Sequence, residues 1–109
     1  MEQPVTFMKG EESLRGLLHR PQTGTADNRT GVVFLHGWSG NRQGPHRMFV
    51  TLARHLTARG CHCLRFDFRG RGESDGKTGD AGIAPMIADA RSAVDFFLTQ
   101  TKVTNVVLL

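Results

Sequence analysis

Tyrosine is absent from this chain, tryptophan occurs once and cysteine twice. No apolar run approaches bilayer-spanning length, and Met1-Glu-Gln-Pro4 is not a basic start followed by an apolar core. The chain is therefore expected to make no membrane contact, and a cytoplasmic address follows by default. The net charge of +4 and a pI near 9.8 invite a nucleic-acid partner. Without tyrosine, and with Arg29, Arg42, Arg47, Arg54, Arg59, Arg65, Arg69, Arg71 and Arg91 dispersed, they describe a basic soluble surface and no nucleic-acid partner.

Cys61 and Cys63 lie two apart on an expected strand, so both project from one face and are too constrained to pair with each other. His62 between them and His55 nearby suggest a metal, but no second Cys-x-x-Cys or His-x-x-x-His element completes a ligand set. The expectation is no metal and two buried, inert thiols in a reducing compartment. Phosphate loops are scarce too. A Gly-x-Gly-x-x-Gly fingerprint follows neither central strand, and Gly70-Arg-Gly72 is too short a signal to count. Only three residues separate Gly72 from Gly76 in Gly72-Glu-Ser-Asp-Gly-Lys-Thr78, where a phosphate loop needs four, and the next helix starts too late to aim its N-terminus at an anion.

What is present is organised around residues 31 to 74. Gly31-Val-Val-Phe-Leu35 is an apolar run that breaks at His36-Gly-Trp-Ser-Gly40. A second run closes as Arg65-Phe-Asp-Phe-Arg-Gly-Arg-Gly-Glu-Ser74. Between them Met48, Phe49, Leu52, Ala53 and Leu56 recur at helical spacing, with Arg47, Thr51, Arg54 and Thr57 opposite, and Gly60 stands where a left-handed cap ends a helix. This is a strand, helix, strand unit with polar glycine loops at the carboxyl ends of both strands, where open parallel sheets bind ligands. Cys61 to Phe68 forms the second strand, with Leu64 and Phe66 on one face and Cys63 and Arg65 on the other. Arg65 within a strand needs either a partner or a strand end open to water.

A hairpin precedes the unit: Val5 to Lys9 and Ser13 to His19 are extended runs joined through Gly10-Glu-Glu12. The polar stretch from Gln22 to Thr30 is a surface loop. A second amphipathic helix is expected from about Pro85 to Thr101, burying Met86, Ile87, Ala90, Val94, Phe97 and Leu98 and exposing an Arg91 and Asp95 pair. Val103-Thr-Asn-Val-Val-Leu-Leu109 closes the chain as a buried strand. The fold class is α/β: an N-terminal antiparallel hairpin leading into a parallel β-α-β-α-β sheet. With 109 residues this is at most one small domain. A parallel strand buried on both faces needs helices that the closing run does not itself provide, so the chain is expected to be the front part of a larger domain or a truncated gene product.

His36-Gly-Trp-Ser-Gly40 after one strand and Asp67-Phe-Arg-Gly-Arg-Gly-Glu-Ser74 after the next resemble the front half of an α/β-hydrolase. With Asn41-Arg42 and Pro45-His-Arg-Met-Phe49 between them, the wording is similar to the branch of feruloyl esterases, monoacylglycerol lipases and serine aminopeptidase-like hydrolases. The resemblance runs over essentially the whole chain. It implies a partial α/β-hydrolase fold, with residues 1–109 as the N-terminal part of a single domain that stops before the nucleophile elbow. The implied parent cleaves carboxylic esters or related acyl bonds of small-molecule acyl substrates, using serine and water and no metal or organic cofactor.

The resemblance also assigns roles. The backbone N–H of Trp38 is an oxyanion-hole donor, with Gly37 and Gly40 allowing the loop its backbone angles. His36 is a structural loop residue, not a general base. Asp67, Arg69, Gly70, Gly72 and Ser74 shape the floor of the site, with Arg69 or Arg65 bracing it through Asp67. Ser39 and Ser92 lack a Gly-x-Ser-x-Gly setting, and Ser74, though spelled Gly72-Glu-Ser-Asp-Gly76, has no activating base beside it in the sequence. The elbow would follow about two or three residues past Leu109, so serine, acid and histidine would all lie beyond it and the chain alone should not turn over. The alternative is a non-catalytic binding or interaction module. In either case the apolar C-terminal edge strand is a template for self-association.

Overall fold

The computed structural model describes residues 2–9, 12–37, 47–69, 74 and 83–109. Strands β1 (Glu2–Lys9), β2 (Glu12–His19) and β3 (Thr30–Phe34) are followed by helix α1 (Met48–Ala58), strand β4 (His62–Phe66), helix α2 (Ile83–Gln100) and strand β5 (Asn105–Leu108). The strands form one sheet in the order β1-β2-β4-β3-β5. β1, β2 and β4 pair antiparallel, whereas β4, β3 and β5 run parallel. This is the expected element order and fold class.

The hairpin is longer than its apolar pattern suggests. It includes Pro4, opposite Leu17 in the register. β1 lies at one edge of the sheet, the place where strands tolerate proline. The chain then runs from β3 through α1 to β4 on one side of β3, and from β4 through α2 to β5 on the other. Right-handed crossovers in opposite directions put the two helices on opposite faces, and side-chain alternation follows. Val32, Phe34 and Cys63 pack with Phe49 and Ala53 of α1. Val33, Leu64 and Phe66 pack with Phe7, Leu14, Leu18 and with Ala93 and Phe97 of α2. Burial pushes the Cys63 thiol up to about 11, which makes it an inert core group at neutral pH.

α1 ends as its glycine predicts. Gly60 has φ +98°, its N–H donates to Thr57 O, and the Cys61 N–H reaches back to Leu56 O. That pair of bonds is a Schellman cap. The buried face of α1 is rotated from expectation: Met48 is 51% exposed, whereas Val50 and Thr57 are buried. Thr57 tolerates burial because its hydroxyl donates to Ala53 O at 2.7 Å.

α2 is likewise turned. Its buried line is Asp89, Ala93 and Phe97, while Ile87 and Leu98 are 59% and 46% exposed. The helix leans over the hairpin, where Phe96 stacks on Phe7 with ring centroids 4.9 Å apart, and this turns Leu98 outward. Phe97 lies against Gly31: a Cβ there would sit 2.2 Å from its ring, so β3 needs glycine at that point. β5 differs from expectation in burial. It has β3 beside it and no strand on its other side among the described residues, so Val107, Leu108 and Leu109 are about half exposed.

The α1 face also holds the partner that Arg65 requires. Arg65 is buried, and its Nε donates to Nε2 of the equally buried His19 at 2.9 Å. Nδ1 of His19 lies 3.8 Å from Glu2, which is itself held by Arg54 at 2.6 Å. Burial first, then the Arg65 charge, lowers the His19 pKa to about 4, so the neutral ring belongs to the folded state. The unfolded chain takes up this proton near pH 6.5 and the folded chain only near 4. Stability from this group is therefore complete above pH 6.5 and is lost as the pH falls toward 4, by up to about 3 kcal/mol. Urea titrations across that window should show a steeper slope in the native chain than in His19→Gln, which keeps an acceptor for Arg65 but does not titrate, the slope left in the variant being that of His62, whose pKa burial also lowers.

Candidate active site

β3 and β4 are parallel and in register from Gly31 opposite His62 to Phe34 opposite Arg65, so their exits lie side by side. His36 follows the first exit and Phe68 the second. The ring of His36 is buried. The Phe68 N–H donates to its Nε2 at 3.0 Å, and its Nδ1 lies 2.7 Å from the Gly37 carbonyl. A carbonyl only accepts, so the proton is on Nδ1 and Nε2 is the acceptor. Both nitrogens are thereby engaged in joining the two loops. The Phe68 ring meets the imidazole edge-on, with centroids 4.9 Å apart.

The segment after β4 is anchored twice more. Ser74 is buried, its Oγ accepts the Arg15 N–H at 2.8 Å, and its hydroxyl donates to Asp67 O at 2.5 Å. The Asp67 N–H donates in turn to Arg15 O at 2.9 Å. Ser74 thus closes the loop onto its own start and onto β2, with hydroxyl proton and lone pair both engaged. Arg69 closes on α2: its Nη2 and Nε reach Asp89 Oδ1 at 2.7 and 3.0 Å, and its backbone N–H reaches Oδ2 at 2.9 Å. Asp89 is fully buried. A charge can be buried there because the carboxylate receives a two-point guanidinium and a main-chain amide.

The structure therefore brings His36, Gly37, Asp67, Arg69 and Ser74 to the carboxyl edge of β3 and β4, with Gly37 exposed and open around its Cα. Trp38, Gly40, Gly70 and Gly72 lie outside the described residues. Asp89 is the participant that sequence reasoning missed. Its signal was a carboxylate four and eight residues before Ala93 and Phe97, on the core-facing line of a helix. Chemically, these groups hold loops. Among the described residues, neither His36 nor Ser74 has an uncommitted atom for general-base or nucleophilic work. No cluster of three metal-ligating side chains occurs among them, and no helix is long and apolar enough to cross a membrane.

An open mixed sheet, antiparallel through β1, β2 and β4 and parallel through β4, β3 and β5, with helices on both faces and loops clamped at the exits of its parallel strands, is the architecture of an α/β hydrolase. The chain belongs to the alpha/beta hydrolase fold family, whose model matches residues 31–109. Among its relatives are the lysophosphatidylserine lipases ABHD12. The mouse protein is 40% identical over 71 residues, 65% of this chain and 17% of that protein. The zebrafish protein (Danio rerio) is 41% identical over 59 residues, 54% and 14%. The chain thus spans less than a fifth of the curated relatives it matches. Est1E of Butyrivibrio proteoclasticus, solved with ferulic acid bound, superposes with a TM-score of 0.81 at 23% identity, over 95% of this chain and 41% of that one. The Pyrococcus furiosus esterase Pf2001 gives 0.75 at 23% identity, over 99% and 40%. These likenesses in structure are likenesses of fold.

Replacing the loop anchors should destabilise the chain in a graded way. Ser74→Ala leaves the Arg15 amide unsatisfied and should cost about 1–3 kcal/mol. Asp89→Ala strands the Arg69 charge and should cost about 3–5 kcal/mol. Urea unfolding measures both, and equal costs would contradict the buried-pair assignment.

Proposed function

We propose that this chain is the front part of a serine hydrolase that cleaves carboxylic esters, and that the backbone N–H of Trp38 is one donor of its oxyanion hole. The observation that carries the reading is the His36 latch. It fixes the backbone entering the His36-Gly-Trp-Ser-Gly40 loop at the carboxyl end of a central strand, by hydrogen bonds of 3.0 and 2.7 Å. A tetrahedral intermediate puts negative charge on oxygen, and a main-chain N–H held in advance at that point stabilises it without reorganisation. A lysophospholipid lipase and an esterase among the similar proteins share carboxylic ester cleavage as their common chemistry. In this reading the serine, acid and catalytic histidine come from sequence outside these 109 residues, because Ser74, the one serine here spelled Gly-x-Ser-x-Gly, is buried with its hydroxyl donating to Asp67 O and accepting the Arg15 N–H.

The test is to express the coding sequence in frame with its downstream codons and assay hydrolysis of p-nitrophenyl acyl esters. The longer product should hydrolyse them, and residues 1–109 alone should not. Trp38→Pro, which removes the N–H, should lower kcat by about 10²–10³-fold. Trp38→Ala, which keeps it, should stay near the parent rate. A folded longer product without ester hydrolysis would overturn the reading and favour a non-catalytic binding module. Full activity in Trp38→Pro would overturn the oxyanion assignment alone.

A further inference from the structure

We propose that Asp89 is a positioning residue for the reacting edge, acting through Arg69, Phe68 and His36 on the peptide that carries the Trp38 N–H. The inference rests on the oxyanion role given to Trp38 above. Its basis is an unbroken run of contacts that begins in the middle of a helix and ends at that peptide.

Asp89 does more than pair with a guanidinium. One of its oxygens accepts the main-chain N–H of Arg69 at 2.9 Å, while the other takes Nη2 at 2.7 Å and Nε at 3.0 Å. A side-chain ion pair alone would leave the backbone of Arg69 free to turn. This geometry holds the amide and the guanidinium of one residue to one rigid, fully buried acceptor. The preceding amide is that of Phe68, and it donates to His36 Nε2 at 3.0 Å. Fixing the Arg69 amide fixes the peptide plane that follows Phe68, while the Ser74 hydroxyl holds the plane before it through Asp67 O, so the residue whose N–H meets the imidazole is held from both sides. The imidazole is thereby kept with its proton on Nδ1, directed at the Gly37 carbonyl 2.7 Å away. In a trans peptide the C=O and the following N–H point in opposite directions across one plane. The Gly37 oxygen shares its peptide group with the Trp38 nitrogen, so the latch acts on the group that the proposed reaction uses. α2 supplies the fixed point and the loops supply the reach.

Two measurements test the relay separately from the function. In the 109-residue chain labelled with ¹⁵N-histidine, His36 should be a single neutral tautomer with its proton on Nδ1 and a resolvable coupling from the Phe68 amide to Nε2. Asp89→Asn, and as a second variant Arg69→Lys, should abolish that coupling and mix the tautomers while circular dichroism still shows the helices. In the longer in-frame product the same variants should lower kcat for ester hydrolysis about 10- to 100-fold, with KM changed less than about threefold. Folded variants that keep the His36 tautomer and the parent kcat would overturn the proposal. A loss in KM alone, or a loss of activity that only tracks loss of fold, would also overturn it. An inactive parent product refutes the ester-hydrolase reading and leaves the histidine spectrum to decide whether Asp89 controls His36.

Discussion

The hydrogen bond from the Phe68 amide to His36 joins the exits of two parallel strands, and the rest of this edge of the sheet depends on it. Parallel strands end side by side, but the chain leaving each goes to a different helix on a different face. Without a tie the two loops would diverge. A neutral imidazole accepts on one nitrogen and donates on the other, so it can link one loop's amide to the other loop's carbonyl. Both the Phe68 amide and the ring are buried, and leaving the amide without an acceptor would cost about 1–3 kcal/mol. A histidine in this position is therefore spent on architecture.

The same economy of polar groups runs through the interior. Arg65, Asp89, His19 and His36 are all buried, and the side chain of each has a named polar contact that turns a desolvation penalty into a fixed geometry. The two apolar clusters, one on each face of the sheet, supply the driving force for folding. The polar groups decide how the strand ends are held. Arg65 and His19 tie β2 to β4 on one face, Ser74 and Asp67 continue that ladder, and Arg69 and Asp89 bind the loop to α2.

Much of this was legible in the residues. Alternation in Cys63, Leu64, Arg65 and Phe66 placed each side chain on its face. Gly60 marked the cap of α1, and the need of Arg65 for a partner was visible before its partner was. The helix faces were read less well, because period alone does not say how far a helix rolls. Met48, Ile87 and Leu98 are apolar but face outward, whereas Thr57 is buried by bonding its own backbone. Asp89 was hidden because a single carboxylate in a helix ordinarily means solvent, and only the three-dimensional approach of Arg69 shows otherwise. The loop motifs indicated where the strand exits would be clamped, and the atoms that do the clamping emerged only from the fold.

The central claim is that the strand exits are locked as firmly as the strands. Amide hydrogen exchange at Phe68, read by NMR on the native chain, tests this most directly. Phe68 lies beyond the regular part of β4, so a loose loop would exchange at the rate of an exposed turn amide such as Gly24. The account predicts protection of the same order as Val33 and Leu64 in the β3 and β4 ladder, because the amide opens only when the His36 latch and the sheet beneath it open together. Exchange at the rate of Gly24 would contradict it.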